Sequence, residues 1–136
     1  VGESADDQPV PGLLMLRIEG GLTFANAANV QEKMQALAIA TQPPPQVVVL
    51  ELSAVPDIEY TALLMLIEGE RKQRERGVSL WLAGLNPGVA RAIARSSLGA
   101  TLGPGRTFFN LKMARDTFLG SSPSRTRAAG VESPEK

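Results

Sequence analysis

The chain has 136 residues, of which 43% are hydrophobic, and this size suits one domain built around a single core. Lys and Arg together number 14, as do Asp and Glu, so the formal net charge is zero. We recognise neither a basic excess nor a basic stripe, which argues against a nucleic-acid-binding protein. His and Cys are both absent. Because these residues are the commonest general bases, metal ligands and thiol nucleophiles, we expect neither a catalytic site nor a metal site.

The two ends of the chain differ in composition from its middle. Residues 1–9 are polar and predict a linker or a flexible start. Residues 120–136 are rich in Ser, Pro and Gly, and they offer too little apolar surface to offset the entropy of ordering, so we expect a disordered tail. The predicted domain is therefore 10–119. No run approaches the roughly 18 to 20 apolar residues that cross a bilayer, and the first residue, Val1 rather than Met, is expected of a fragment of a longer protein.

Inside this domain, apolar periodicity alternates between strand and helix. The run GLLMLRI at 12–18 predicts a strand, and Asn26 is expected to cap a helix that continues to about Ala40. Three consecutive prolines end this helix. The next run, 47–52, is apolar on both faces except for Glu51, which is typical of a central strand covered on both sides.

The second half of the domain continues the alternation. The predicted elements are a helix over 60–76, a strand over 78–83, a helix over 87–96, a Gly- and Pro-rich loop over 99–105, a short edge strand over 107–109 and a helix over 111–119. Asn86 followed by Pro87 is the preferred order for a helix start, and Asn110 is expected to cap the last helix. Since each strand is followed by a helix, we predict an α/β fold with parallel pairing at the centre of the sheet.

The turn after the central strand, Asp57-Ile58-Glu59-Tyr60-Thr61, places an acid and a hydroxyl at the start of a helix. The first N–H groups of a helix are unpaired and carry partial positive charge, so such a turn can cap itself, bind an anion or hold a phosphoryl group. Thr61 is either the cap, which we favour, or a phosphoacceptor. Glu59 is either a partner contact or a solvated acid. Tyr60 is either an exposed partner contact or a ring that packs while its hydroxyl stays wet.

Phe24 and Asn26 stand at the start of the first helix. We expect Phe24 to fill the core or to staple the helix start, and Asn26 to cap it. Alternatively, this loop lies beside the Thr61 turn, at the carboxyl ends of the strands, where α/β sheets usually bind ligands. Trp81, in the middle of a strand, is expected in the core or on a sheet face under a helix.

Three segments together resemble a STAS domain, the sulfate-transporter and anti-sigma-factor-antagonist fold. They are GLLMLRIEGGLTFANA from Gly12, AVPDIEYTALLML from Ala54 and VSLWLAGLNPGVARAIARSSL from Val78. The motifs LTFANA and IEYTA are most similar to those of the cytoplasmic C-terminal STAS domain of bacterial SulP-type anion transporters. The resemblance covers about 10–119, and it implies a single α/β domain whose mixed four- to five-stranded sheet has its helices packed mainly on one face.

The resemblance also implies a function. The domain would be a non-catalytic regulatory part of a SulP-type permease for sulfate or another small anion, on the cytoplasmic side of the cell membrane. Its expected partners are the transmembrane domain of the same polypeptide, a second protomer in a homodimer and a cytosolic regulatory protein, but no nucleic acid. The surface expected to make these contacts is formed by Phe24, Asn26, Glu59, Tyr60 and Thr61.

Two other functions stay open at this point. Soluble anti-sigma antagonists typically carry Asp-Ser-Ser-Gly with the second Ser phosphorylated, and the matching residues here are Glu59-Tyr60-Thr61-Ala62. The hydroxyl is kept while its neighbours differ, which favours the transporter branch over a free-standing phosphoswitch with Thr61 as acceptor. The second alternative is a sensor that weakly binds a guanine nucleotide at the starts of the first two helices. No cofactor is otherwise expected, because the loops at 84–88 and 99–105 match neither Gly-rich phosphate-binding pattern.

Overall fold

The structure, a computed structural model, describes residues 10–120. Strands and helices alternate along them, as the apolar periodicity predicts. The elements are β1 (Leu13–Glu19), α1 (Phe24–Ala40), β2 (Val47–Ala54), α2 (Tyr60–Glu75), β3 (Ser79–Ala83), α3 (Pro87–Ala94), α4 (Ser97–Leu102), a short 3-10 turn (Pro104–Arg106), β4 (Thr107–Phe108) and α5 (Leu111–Gly120). The predicted linker and the predicted tail lie outside the described residues, apart from Gly120, which ends α5.

The four strands form one sheet in the order β1-β2-β3-β4, and each neighbouring pair is parallel. The predicted α/β class and a count of four strands are confirmed, while the pairing of these strands is parallel rather than mixed. The reason lies in the connections, since a helix after each of the first three strands brings the chain back to begin the next strand in the same direction. Right-handed crossovers between strands in sequential order leave their helices on one face of the sheet.

The face covered by α1 to α4 holds the main core. Alternate strand side chains, among them Leu50 and Leu82, are fully buried there. The helices contribute Met34 and Leu66, and α1 and α2 approach so closely that a Cβ on Gly69 would lie 3.3 Å from Met34 Cε. Each fully buried side chain of this size contributes roughly 1.5–3 kcal/mol. This cluster therefore holds the sheet and the first four helices together.

The opposite face is covered by α5. Leu111 and Ala114 of this helix are buried against the sheet beside Trp81. The Trp81 ring lies 5.0 Å from the ring of Phe108 and 6.3 Å from that of Phe118, measured between centroids. The predictions that Trp81 lies on a sheet face under a helix, and that the helices pack mainly on the other face, are confirmed.

One predicted loop is partly helical. The Gly- and Pro-rich segment 99–105 was expected to be irregular, but α4 occupies its first half. The Ser96 side chain caps the start of α4. α4 lies so near α3 that a Cβ on Gly99 would sit 2.6 Å from the Ile93 carbonyl oxygen. Gly99 therefore serves close helix packing rather than a turn, and neighbouring residues in the sequence do not reveal that contact.

Candidate functional site

Two turns lie side by side at the carboxyl edge of the sheet, one after β1 and one after β2. A parallel bridge joins them: the Leu22 N–H donates to the Asp57 carbonyl oxygen at 3.3 Å, and the Glu59 N–H donates to the Leu22 carbonyl oxygen at 3.0 Å. The Leu22 side chain is fully buried and anchors the pair in the core. We call residues 22–26 and 57–61 the double-turn surface. These segments contain all five predicted site residues, Phe24, Asn26, Glu59, Tyr60 and Thr61.

The first turn is closed by its own side chains. Thr23, not Asn26, is the N-cap of α1, and its Oγ1 accepts a hydrogen bond from the Asn26 N–H at 3.2 Å. Asn26 Nδ2 donates to the Gly21 carbonyl oxygen at 2.5 Å, so this side chain ties the helix back to the preceding residues. The predicted cap is wrong by one helical turn. Both residue types are good caps, and the helix begins at the earlier one.

Phe24 is exposed, which corrects the expectation that it fills the core or staples the helix. Its side chain is 56% exposed. A staple requires the residue before the cap, whereas Phe24 follows the cap and is the first residue of α1. Ala27 is the residue of this turn that faces the core. Phe24 is therefore an aromatic side chain available for contact, held on a turn that is otherwise tied down.

The second turn leaves the start of α2 open. Glu59 occupies the N-cap position, and its side chain makes no capping hydrogen bond. Thr61 is already the second residue of α2, so the prediction that it caps the helix is wrong. A helix start without a side-chain cap keeps the partial positive charge of its first N–H groups available.

The side chains of the second turn are exposed. Tyr60 is 73% exposed, which favours the interpretation as a contact over that of a packed ring, and Glu59 and Thr61 are exposed beside it. One turn further along α2, Leu64 is 45% exposed. Because residues four apart lie on the same side of a helix, Tyr60 and Leu64 form one apolar stripe. The sequence analysis did not single out Leu64, although this spacing was the signal that could have found it.

A third loop, after β3, is hydrogen-bonded to the chain just before the second turn of the double-turn surface. Asn86 stands at the N-cap position of α3, but its side chain does not cap that helix. Instead, Asn86 Nδ2 donates to the carbonyl oxygen of Val55 at 2.6 Å and to that of Ser53 at 3.3 Å. This bond joins the loop after β3 to the end of β2. The local pattern Asn-Pro predicts the position of the helix start, whereas the long-range bond leaves no local signal.

The described residues offer few side chains for metal or ligand binding. Within residues 10–120, no set of three or more His, Cys, Asp or Glu side chains could hold a metal ion. A cavity of about 210 Å³ between β1 and α1 is lined by Asn26, Arg17 and Lys33, among others. Nucleotide binding near the starts of α1 and α2 stays a prediction.

The sequence is similar to proteins of a known family. Residues 4–114 match the family model of the STAS domain. A probable sulfate transporter of Mycobacterium tuberculosis is 29% identical over 119 residues, which are 83% of this chain and 21% of that protein. The chain thus spans about a fifth of the length of the curated relatives that it matches.

Solved structures share the fold. The STAS domain of a SulP transporter from Vibrio cholerae superposes with a TM-score of 0.72 at 20% identity, covering 86% of this chain and 88% of that one. The anti-sigma factor antagonist SpoIIAA, in its unphosphorylated form, gives 0.67 at 13% identity and covers 84% and 94%. In the part of the chain that the structure describes, no helix is both long enough and apolar enough to cross a membrane. The chain belongs to the STAS domain family.

Proposed function

We propose that this chain is the regulatory STAS domain of a SulP-type anion transporter, on the cytoplasmic side of the membrane. This assignment is supported by the match to the STAS family. It is also supported by the sulfate transporters among the curated relatives, of which this chain matches about a fifth of the length. The domain is non-catalytic in this proposal, since the chain has neither His nor Cys.

The double-turn surface is the contact with the membrane-embedded part of the same polypeptide. The observation that carries this step is the exposure of Phe24 and Tyr60 on turns that are joined by backbone hydrogen bonds and anchored by buried Leu22. Exposed aromatic side chains on a rigid support are typical anchors of protein interfaces, because little conformational entropy is lost when they are covered. A contact that is stronger in one transporter state than in another shifts the population toward that state.

Sulfate uptake tests this proposal. The longer polypeptide carrying Phe24→Ala and Tyr60→Ala is expressed in cells that lack sulfate uptake, and the initial rate is divided by the amount of protein in the membrane. We expect the rate to change severalfold with an unchanged amount of protein. Ile39→Ala is the matched control, because Ile39 is 68% exposed but lies on the last turn of α1, at the other end of that helix.

Two results would contradict the proposal. Equal rates for the double variant, the Ile39→Ala control and the unchanged protein would remove the double-turn surface from regulation. Fractionation of the source cells tests the transporter assignment itself. A band near the size of this chain in the soluble fraction, with none in washed membranes, would overturn it.

A phosphoswitch is the second candidate, and the open start of α2 favours it. Thr61 is an exposed hydroxyl residue in the first turn of a helix that lacks a side-chain cap. Phosphorylation would add a charge of about −1.5 to −2 there, and the positive helix start would stabilise it. Mass analysis of Thr61 after incubation with ATP and an extract of the source cells is the test, with Thr101→Ala as a control at another exposed threonine. Phosphorylation that persists in the Thr61→Ala variant would exclude Thr61 as the phosphoacceptor.

A further inference from the structure

The net charge is zero, but the charged residues are unevenly distributed along the chain, which the prediction from composition did not consider. The segment 76–115 contains six Lys or Arg residues and no Asp or Glu. The preceding described segment, 10–75, has five Lys or Arg against eight Asp or Glu. A basic region therefore exists, and it begins where α2 ends.

Three arginines of the basic segment lie within α3, at its C-cap and in the 3-10 turn. Arg91 and Arg95 are exposed and one turn apart, on the side of α3 opposite buried Val89 and Ile93. Arg106, in the 3-10 turn, is half-buried. None of the three arginines forms an ion pair with another described residue. We call the outer surface of α3, α4 and the 3-10 turn the basic face.

The segments that carry these arginines lie near each other in the fold. A cavity of about 270 Å³ is lined by Ala94, Gly103 and Thr107 among others. Ala94 precedes Arg95, and Thr107 follows Arg106, so the chain neighbours of two arginines share one cavity wall. The backbone at Arg95 and the backbone at Arg106 therefore lie near each other, and Arg91 is one turn before Arg95.

The basic face lacks the residues that usually anchor a protein partner. Its exposed side chains besides the arginines belong to small residues or proline. The large apolar side chains that are exposed within 10–120 lie outside these three elements, and the one nearest along the chain is Phe109, three residues after Arg106. Protein interfaces depend on buried aromatic and large aliphatic anchors, whereas a surface of arginines and small residues can approach phosphate groups closely and attract them by charge.

We propose that the basic face lies against the anionic phospholipid headgroups of the membrane. This inference rests on the proposed function, which holds the domain beside a bilayer. The two surfaces adjoin, because Asn86 at the start of α3 donates to the Val55 carbonyl oxygen just before the double-turn surface. The domain thus meets the transporter through its aromatic turns and the neighbouring lipid through its arginines.

A weak attraction is sufficient for this arrangement. Each arginine near an anionic bilayer strengthens the contact roughly fivefold, so three give about a hundredfold at most. Such a contact is weak for a free domain. A tether raises the effective concentration to about the millimolar range, where the contact becomes populated.

Paramagnetic broadening in a tethered sample is the test. The chain has no Cys, so one Cys added before Val1 couples it to a maleimide lipid in nanodiscs that also contain a gadolinium-labelled lipid. Backbone amide signals are compared in discs with phosphatidylserine and in discs of phosphatidylcholine alone. We expect the strongest broadening at residues 87–106, in the phosphatidylserine discs only, and less broadening as salt is added.

Two triple variants with the same net charge decide the assignment. Arg91→Gln, Arg95→Gln and Arg106→Gln should abolish the local broadening, whereas Lys33→Gln, Lys72→Gln and Arg76→Gln should keep it. Equal loss in both triple variants would mean that net charge, not the basic face, attracts the lipid. Equal broadening in both types of disc, or broadening spread over the whole domain, would also overturn the proposal. None of these readings requires a transporter, so their failure is distinct from failure of the uptake test.

Discussion

The two turns of the double-turn surface share a backbone plan and differ in their chemistry. Each follows a parallel strand, contributes one residue to the Leu22–Ile58 bridge and starts a helix two residues later. The start of α1 is capped by Thr23 and tied back by Asn26, whereas Glu59 leaves the start of α2 without a capping side chain. The first turn is therefore closed by its own side chains, whereas the second leaves the N–H groups at the start of its helix without a side-chain cap.

Breaking the anchor under both turns should have the largest effect. Leu22→Ala removes a fully buried side chain beside the bridge, and large-to-small changes in a core typically cost about 2–5 kcal/mol. Ile58→Ala, at the half-buried residue across the bridge, should cost less. Urea unfolding of both variants measures the free energy of unfolding. Equal losses would contradict the view that the first turn supports the second.

Removing the side-chain cap of the first turn should show a second difference in stability between the two turns. Thr23→Ala deletes the oxygen that accepts from the Asn26 N–H, and the loss of such a cap costs about 1 kcal/mol. Thr61→Ala, past the cap position on α2, should stay within about 0.5 kcal/mol, as exposed substitutions usually do. If Thr61→Ala costs as much as Thr23→Ala, then Thr61 contributes to the helix start in solution and the open turn is closed.

The elements were predictable because they depend on local patterns. Periods of two and of about 3.6 residues predict the strands and helices, and Asn110 caps α5 as expected, with its Oδ1 accepting from the Met113 N–H at 2.8 Å. The boundary of α1 was not predictable, since Thr23 and Asn26 are both suitable caps and the sequence does not rank them. α4 was missed because Gly99 is a turn former locally and a packing residue in the fold.

The site was predictable in its location and less so in its details. Parallel strands bring their carboxyl ends to one edge, so the two turns were expected to meet there. The expectation for Phe24 depended on which residue caps the helix: before an Asn26 cap it would precede α1 and could pack under it, whereas after the Thr23 cap it is the first helical residue and is exposed. The bonds from Asn86 to the end of β2 join residues far apart in the chain, which no local pattern encodes.

Closing the open turn should give a smaller effect of opposite sign. Glu59→Asp keeps the charge and shortens the side chain, which favours a hydrogen bond to the N–H groups of the first turn. We expect α2, and with it the domain, to gain roughly 0.5 kcal/mol. Thermal unfolding at neutral pH measures the gain, and Glu32→Asp, inside α1 and exposed, controls for shortening an acid. An unchanged or lower stability would show that the geometry of the turn, not side-chain length, prevents capping.

The smallest predicted effect concerns the ion pairs in the middle of α2, which contrast with the uncapped start of the same helix. Arg71 Nε donates to Glu68 Oε1 at 3.2 Å, and this hydrogen bond lowers the pKa of Glu68 below its ordinary value. A lowered pKa stabilises the fold above the unfolded-state pKa of Glu, and this contribution is lost as the pH falls through the folded-state value. It is small, because both side chains are about half exposed.

Arg71→Gln should therefore raise the pKa of Glu68 toward the ordinary value of a glutamate, as followed by the carboxyl carbon shift in an NMR titration. Arg74→Gln is the matched control, because Arg74 pairs with Glu70 instead. The control should leave the Glu68 midpoint nearly unchanged. If the midpoint were the same in both variants, the Glu68–Arg71 bond would not persist in solution. The contrast between the open start of α2 and its paired middle would then rest on the Glu70–Arg74 pair, in which the Glu70 side chain is buried.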